Sequence, residues 1–240
     1  MNPAAIQLHQ LVFGWPRQTS PCIDIPELAV RPGERIFLHG PSGSGKSTLL
    51  ALLGGVALPQ QGRISLLNTE ITTLSGRARD RFRADHIGFL FQQFNLLPWL
   101  SALDNVLLPC TFSARRRQRA EQNLTQPRPP RAEAERLLQQ LDLESDSWYK
   151  PATELSVGQQ QRVAAARALI GQPELLIADE PTSALDAGRQ QIFVDLLLQE
   201  TKTAGATLVF VSHDQRLAAH FDRQIELPAI NRAQSAGGTA

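Results

Sequence analysis

The sequence predicts an α/β fold with a mostly parallel sheet, an antiparallel β subdomain at the N-terminus and an inserted helical subdomain. Two short apolar runs, 175–178 and 208–211, are typical of strands that are buried on both faces. Between them, residues 188–202 carry apolar side chains at helical spacing, so the three segments predict a βαβ unit. Near the N-terminus, Ile6 and Leu8 alternate with polar residues, which indicates antiparallel strands with one solvated face.

The helical subdomain is predicted over about residues 95–166. Ser101 and Asp104 have a spacing similar to that of a capping box, which marks a helix start. Amphipathic helices are predicted over 131–141 and 158–170. These helices are expected to interrupt the strands of the α/β sheet.

We predict a single domain over residues 1–230. The last residues, 231–240, end in Ser-Ala-Gly-Gly-Thr-Ala, which predicts a disordered tail. The stretch 113–131 is rich in arginine, glutamine and proline but has no interleaved aromatic side chains that could stack on bases. A solvated linker or an exposed helix is therefore favoured there over a nucleic-acid site.

Composition narrows the classes of function. The chain has 240 residues and a net charge of +1, which provides no general attraction to nucleic acid or to anionic membranes. Cys22 and Cys110 match no zinc or disulfide spacing, and we expect a reducing cytosol. The N-terminus has no signal-peptide pattern, and no apolar run approaches the roughly 20 residues that a spanning helix needs. Membrane association is therefore expected only through a partner.

Residues 40–48 match the phosphate-binding motif G-x-x-x-x-G-K-[ST], after a strand pattern and before a leucine-rich helix pattern. The glycines and the positive helix end suit phosphate oxygens, so the motif predicts binding of a nucleoside triphosphate. Lys46 is expected to reach the β- and γ-phosphates, and the Ser47 hydroxyl to bind Mg²⁺. The alternative is a surface turn, but Lys-Ser-Thr before a buried helix is poor loop composition. The predicted nucleotide-binding residues here are Gly40, Pro41, Ser42, Gly43, Ser44, Gly45, Lys46, Ser47 and Thr48.

Two adjacent carboxylates, Asp179 and Glu180, follow the apolar run 175–178. Asp179, at the carboxyl end of the predicted strand, is placed to hold Mg²⁺, mostly through water. Glu180 is then placed to polarise an attacking water. The alternative is a pair of ordinary exposed acids, and it loses weight because a phosphate loop already requires a metal ligand.

A second anion-binding helix start is predicted at Ser156 and Gly158. Taken alone, the pattern is an ordinary helix cap. Together with the other motifs, the chain resembles the ATP-binding subunit of ABC transporters over nearly all its length. Residues 155–159 resemble the signature of that family, with Val157 where a second glycine is usual. The resemblance implies that Ser156, Gly158 and Gln159 contact nucleotide and that Val157 tunes activity without abolishing it.

The same resemblance implies roles for isolated residues. Gln92 matches the glutamine that touches Mg²⁺ and faces the transmembrane partner, and His213 matches the histidine that senses the γ-phosphate. Trp15 stands where the family places an aromatic ring against adenine, although a strand-end core aromatic is the alternative. Residues 183–186 match the D-loop. The implied catalytic set is Lys46, Gln92, Glu180 and His213, and the implied metal ligands are Ser47, Gln92 and Asp179.

The sequence Ser212-His213-Asp214 is also compatible with a hydrolase triad on residue types alone. Adjacent side chains on a strand end point apart, whereas a triad needs its groups to converge. A phosphate sensor is therefore favoured.

The resemblance also implies partners. In this family two copies pair head to tail and hold two ATP molecules between them. Residues 91–98 and 103–109 are similar to ATPases of the lipoprotein-release and macrolide-export type. That branch implies a permease with four transmembrane helices and a large periplasmic domain, with this chain peripheral at the cytoplasmic face of the inner membrane.

Two alternatives stay open. One is a soluble ABC-type ATPase that acts as a nucleotide-dependent switch on a non-membrane partner, although such proteins usually carry two cassettes or a long coiled-coil insertion. The other is a degenerate module that binds ATP without cleaving it. The presence of Lys46, Asp179, Glu180 and His213 argues against the second alternative.

Overall fold

A computed structural model of the chain describes residues 4–16, 20–122 and 129–233. The chain divides into two compact units. The first holds the described residues up to Arg83 and those from Thr207 onward, and the second holds Ala84–Ala206. Within the described residues, no helix combines the length and the apolar character that crossing a bilayer requires.

The strands follow along the chain as β1 (Ile6–Phe13), β2 (Ile23–Val30), β3 (Arg35–His39), β4 (Gln61–Leu66), β5 (Thr69–Glu70), β6 (Ile87–Leu90), β7 (Leu175–Asp179), β8 (Thr207–Val211) and β9 (Arg223–Glu226). The α-helices are α1 (Lys46–Leu53), α2 (Gly76–His86), α3 (Ala102–Phe112), α4 (Ala114–Gln122), α5 (Pro130–Gln140), α6 (Val157–Leu169), α7 (Ala187–Thr203) and α8 (Leu227–Ile230). Short 3-10 turns lie at Ile71–Thr73, Ser145–Ser147, Ala152–Glu154 and Gln215–His220.

The first unit contains an antiparallel sheet in the order β2-β1-β4-β5. Ile6 stands opposite Val30 on one side and Leu66 on the other, and all three side chains are fully buried. Their neighbour Gln7 faces solvent. The alternation predicted for antiparallel strands with one solvated face is confirmed, since side chains in a strand point to opposite faces in turn.

The first unit also contains parallel strands, with β3 between β8 and β9. All five residues of β8 are buried, as expected for a strand covered on both faces. Phe37 of β3 stacks on Phe210 of β8 at a centroid distance of 6.2 Å. This packing fixes the strand end from which residues 40–45 lead into α1.

The second unit joins a short parallel pair of strands to a group of helices. β6 pairs with β7, with Leu90 opposite Ala178, and both residues are fully buried. α3 packs against α4, α5 and α6, and α6 also contacts β6 and α7. The predicted helix start at Ser101 is confirmed, because its hydroxyl accepts a hydrogen bond from the Asp104 N–H at 3.0 Å.

The arginine-rich stretch after Cys110 differs from the prediction at one buried face of a helix. Residues 114–122 form α4, and Arg116 is only 3% exposed. Its guanidinium donates to the carbonyls of Ile170 at 2.8 Å and Ala168 at 2.7 Å, so it caps the end of α6. The predicted exposed helix is therefore confirmed for most of α4, but Arg116 and Ala120 are buried, and residues 123–128 lie outside the described residues.

The predicted tail boundary also needs correction. Asn231 is 8% exposed, and its side chain accepts a hydrogen bond from the Asp24 N–H at 2.7 Å. The backbone of Arg232 donates to the Asp24 carbonyl at 2.8 Å. The packed chain therefore continues past the predicted limit of residue 230, and the rest of the predicted tail, 234–240, lies outside the described residues.

Candidate functional site

The phosphate-loop motif lies between β3 and α1, as its spacing predicts. Gly43 and Gly45 have φ angles of +78° and +100°, which glycine adopts without the steric cost that other residues meet. A Cβ atom on Gly45 would stand 2.8 Å from Ile23 Cδ1 and 3.1 Å from the Cys22 carbonyl oxygen. Glycine is therefore required at this position by the packing of the loop against β2.

Lys46 is buried in this loop and is only 7% exposed. Its ammonium group donates to the carbonyl oxygens of Gly40 at 2.9 Å and Pro41 at 3.1 Å. The charge is thereby held against the glycine-rich backbone at the N-terminal end of α1. That helix end carries a positive partial charge, and the two together favour a bound anion.

The other loop hydroxyls differ in exposure. Ser47 faces solvent, whereas Ser44 is 7% exposed. The Ser44 Oγ atom has no hydrogen-bond partner among the described residues.

Trp15 lies just after β1 and is 43% exposed. Its ring meets Phe13 edge-on at a centroid distance of 5.0 Å, and its indole N–H donates to Thr48 Oγ1 at 3.2 Å. The exposure argues against a strand-end core aromatic. The contact joins Trp15 to the first turn of the phosphate-loop helix.

His213 belongs to the same unit and follows β8. The Ser212 N–H donates to the Leu38 carbonyl at 3.3 Å, which brings this strand end beside the end of β3. The neighbouring Asp214 carboxylate pairs with Arg216 at 2.6 Å and accepts a hydrogen bond from the Arg216 N–H, and this pairing lowers the pKa of Asp214. Asp214 is thus engaged with Arg216, which argues against a hydrolase triad.

The carboxylate pair lies in the second unit. Asp179 is the last residue of the buried strand β7, and Glu180 follows with a φ angle of 46°. A non-glycine residue in this left-handed region costs roughly 1–2 kcal/mol, and such conformations are concentrated at functional sites. Both side chains are partly exposed, so both are accessible to solvent.

The signature-like segment forms the start of α6. The Ser156 hydroxyl accepts from the Gln159 N–H, and the Gln159 side chain accepts from the Ser156 N–H at 2.9 Å, which completes a capping box. The Gln159 amide also donates to Ser147 Oγ at 3.1 Å. Val157 is 50% exposed, and a Cβ on Gly158 would have no heavy atom of the described chain within 4 Å beyond its neighbours and its own helix backbone.

Gln92 is exposed and follows β6. The turn after it contains two residues with left-handed backbone, Phe94 at φ 58° and Asn95 at φ 50°. Arg167 of α6 donates to the carbonyl of Asn95 at 2.6 Å and also to that of Phe94. Burial lowers the pKa of Arg167.

A model of the ABC transporter family matches residues 23–183 of the chain. The chain belongs to the ABC transporter family.

Relatives of this ABC ATPase include proteins named for lipoprotein release and for macrolide export. The chain is 45% identical over 201 residues to YbbA of Escherichia coli K12, an uncharacterized ABC transporter ATP-binding protein, covering 84% of this chain and 83% of YbbA. It is 40% identical over 201 residues to the lipoprotein-releasing system ATP-binding protein LolD of Legionella pneumophila Lens, covering 84% of each. It is 41% identical over 200 residues to the macrolide export ATP-binding/permease protein MacB of Campylobacter jejuni 81-176, covering 83% of this chain and 29% of MacB.

Solved structures agree with the family assignment. The dimeric ATP-binding cassette MJ0796, in a post-hydrolysis state bound to ADP and Pi, superposes with a TM-score of 0.80 at 32% sequence identity. The match covers 98% of this chain and 100% of that one. The chain is accordingly an ATPase of the ABC transporter family, with an ATP-binding cassette fold.

Three residues that hold the motifs of this ABC ATPase were not identified from sequence. The Asn231 amide donates to the carbonyl of Ser44 at 3.2 Å and to that of Cys22 at 3.0 Å, and so it ties the phosphate loop to the antiparallel sheet. Gln161, only 1% exposed, donates to the Pro181 carbonyl at 2.7 Å. These contacts join segments far apart in sequence.

The third is Gln190, whose amide donates to the carbonyls of Thr182 at 3.0 Å and Leu185 at 3.1 Å. It thereby fixes the D-loop segment after Glu180. Asp186, at the end of that segment, caps α7 by accepting from the Arg189 N–H at 3.0 Å.

Proposed function

We propose that this ATPase works as a head-to-tail pair of copies that holds two ATP–Mg²⁺ between them and drives a membrane permease. The observation that carries the proposal is the phosphate loop, in which the buried Lys46 ammonium lies against a left-handed glycine backbone at a helix N-terminus. Such a cradle fits a triphosphate, because its positive charge and its N–H groups converge.

Binding of the triphosphate is assigned to the loop residues. The backbone N–H groups of residues 40–48, apart from Pro41, which has none, cradle the phosphates, and Lys46 exchanges its bonds to loop carbonyls for phosphate oxygens. Trp15 stacks on adenine, an interaction for which a half-exposed indole face is suited.

Magnesium is assigned to oxygen donors. Ser47 and Asp179 provide a hydroxyl and a carboxylate, with Gln92 as a further amide ligand. Mg²⁺ is usually held by one or two carboxylates together with substrate phosphates and water. When bound, Mg²⁺ neutralises charge on the phosphate oxygens.

Hydrolysis is assigned to Glu180 and His213. Glu180 accepts the proton of the attacking water as the bond from that water to the γ-phosphorus forms and the bond to the ADP oxygen breaks. His213 is proposed to contact the γ-phosphate, and the pairing of β3 with β8 places it beside the phosphate-loop strand of its own unit.

Pairing of two copies is supported by a second helix N-terminus suited to an anion, at the start of α6. Ser156, Gly158 and Gln159 lie at the exposed N-terminus of α6, with open space around Gly158. We propose that this helix end closes over the nucleotide held by the other copy. The similar cassette MJ0796 is dimeric.

The permease partner is assigned by analogy with the relatives. LolD is named for lipoprotein release and MacB for macrolide export. We propose a permease of that branch, with four transmembrane helices and a large periplasmic domain, and a peripheral position of this chain at the cytoplasmic face of the inner membrane. Fold-level analogy does not identify the cargo.

The proposal is tested with Glu180→Gln. The variant is expected to bind ATP, to lose about 100-fold or more in phosphate release, and to elute as an ATP-dependent pair in size-exclusion chromatography with light scattering. Glu144→Gln, at an exposed glutamate before a 3-10 turn, serves as the matched control and should behave as wild type. Unchanged phosphate release by Glu180→Gln would contradict the catalytic role of Glu180. If the variant does not pair in the presence of ATP, the proposed pair of copies with ATP between them is contradicted.

A further inference from the structure

The chain segment before Trp15 is clamped by a side chain from another part of the first unit. The Gly14 N–H donates to Gln60 Oε1 at 2.8 Å, and the Gln60 amide donates back to the Gly14 carbonyl at 2.7 Å. The Gln60 backbone N–H also donates to the Val12 carbonyl at 3.0 Å. One exposed glutamine therefore fixes both backbone polar groups of Gly14, the residue before Trp15.

The ring of Trp15 is held by a second contact. Its indole N–H donates to the Thr48 hydroxyl at 3.2 Å, while Phe13 supports it edge-on at an interplanar angle of 87°. Thr48 lies in the first turn of α1, and Gln60 follows the end of that helix. Thr48 therefore holds the ring itself, whereas Gln60 holds the backbone of the residue before Trp15.

We propose that Gln60 and Thr48 are positioning residues that preorganise the Trp15 indole ring for stacking on the nucleotide base. The inference rests on the proposed function, because it takes the nucleotide phosphates to lie in the loop at residues 40–48. An exposed ring on an unclamped glycine segment would lose conformational freedom when a base binds. A ring that is already held avoids that cost, so the same stacking contact yields more affinity.

As a positioning residue, Gln60 affects nucleotide affinity only through Trp15. We test it with the affinity for ADP, which is not consumed by hydrolysis, measured by isothermal titration calorimetry. Gln60→Ala is expected to weaken ADP binding about three- to tenfold in the protein with Trp15. The same substitution in a Trp15→Ala background should change the affinity by less than about twofold, because the platform is already removed. Gln61→Ala is the control. Gln61 is also an exposed glutamine and is the first residue of β4, and its replacement should leave ADP affinity unchanged.

Thr48 is tested by the same logic. Thr48→Val removes the acceptor of the indole N–H and should weaken ADP binding, and Thr48→Ser should restore it. In a Trp15→Phe background, which keeps an aromatic ring but lacks the N–H, the difference between Val and Ser at residue 48 should shrink to about the error of the measurement. A difference that persists there assigns Thr48 to the phosphates instead.

The outcomes separate this inference from the proposed function. Equal losses from Gln60→Ala with and without Trp15, or no loss in either background, overturn the positioning role while ADP binding itself stands. Wild-type protein that binds no ADP, or binds it equally well after Lys46→Ala, overturns the proposed function together with the inference.

Discussion

At the scale of single residues, two glycines in this ABC ATPase differ in whether the fold of the chain itself requires glycine at the position. Gly45 is required by its own fold, because its φ angle is +100° and an added Cβ would meet Ile23 and Cys22 at 3.1 Å or less. Gly158 has no such requirement, since open space surrounds the position of its Cβ within the described chain. If Gly158 is needed, the reason lies in a ligand or in a second copy.

This contrast leads to a prediction for Gly158→Ala. Alanine is a better helix former than glycine, so the thermal midpoint should stay the same or rise, with at most about 1 kcal/mol of added stability. ATP hydrolysis should fall at least tenfold, since the proposed pairing places another molecule against this helix start. Calorimetry and phosphate release measure the two effects.

The matched control is Gly188→Ala, at the same second helical position of α7. A Cβ there would stand 3.6 Å from Asp186 Oδ1, an ordinary contact distance. Equal activity in the two alanine variants would show that Gly158 does not face a partner.

At the scale of elements, the connection between α6 and β7 is held by charged side chains from α4. Arg115 and Arg119 each donate to the Glu174 carboxylate at 2.7 Å, and His86 contacts it at 3.1 Å. Burial alone raises the pKa of Glu174, but the hydrogen bonds from His86, Arg119 and Arg115 outweigh it and lower the pKa well below the usual range. The cluster keeps this carboxylate ionised in the folded state.

A pH dependence of stability follows. Because the folded-state pKa of Glu174 is depressed, its contribution is fully present above the unfolded value of about 4.3 and is lost as the pH falls from there toward the folded-state pKa. Glu174→Gln should lower the free energy of unfolding at pH 7 by about 1–3 kcal/mol. The variant should also lose less stability than wild type between pH 6 and pH 3.5 in urea titrations. Glu144→Gln should keep the wild-type slope, and parallel acid profiles for Glu174→Gln and wild type would contradict the assignment.

At the scale of the whole molecule, the proposed transporter function requires a second copy of the chain and a membrane permease. Lys46, Trp15 and His213 belong to the first unit, whereas Gln92, Ser156 and the Asp179–Glu180 pair belong to the second. Each unit therefore contributes its own group of the residues to which the proposed function assigns a role.

We predict that an affinity-tagged chain expressed in its native host sediments with the membrane fraction and, after solubilisation in mild detergent, co-purifies with one integral membrane protein. Mass spectrometry of the eluate identifies that protein, and a parallel purification from an untagged strain serves as the control. Recovery of the chain only from the soluble fraction, with bound RNA or ribosomes, would favour the soluble ATPase switch instead.

Much of the fold could be predicted from local patterns. The apolar runs 175–178 and 208–211 became β7 and β8, and the helical spacing at 188–202 became α7. In each case the pattern repeats within one element, so neighbours in sequence are sufficient to reveal it. The family assignment succeeded for the same reason, because its motifs are short and contiguous.

The errors and omissions have one cause. The local pattern predicts a solvated Arg116, but its partners are carbonyls at residues 168 and 170, which follow it by some fifty positions. The composition predicts that Asn231 belongs to a tail, yet its side chain donates hydrogen bonds to the carbonyls of Ser44 and Cys22. A polar side chain is predicted to be exposed unless a distant partner is known, and sequence alone does not show that partner.

By itself, the sequence determined the class of this protein and its chemistry, because a phosphate loop needs a fixed order of glycines, lysine and hydroxyls along a single turn of chain. Only the tertiary structure decided how those groups are held. The Gln60 clamp on Gly14, the Asn231 bonds to the phosphate loop and the Gln161 bond to Pro181 each join residues at least 20 positions apart. Only folding brings such partners within hydrogen-bond distance, because no local pattern of residues indicates which distant groups will meet.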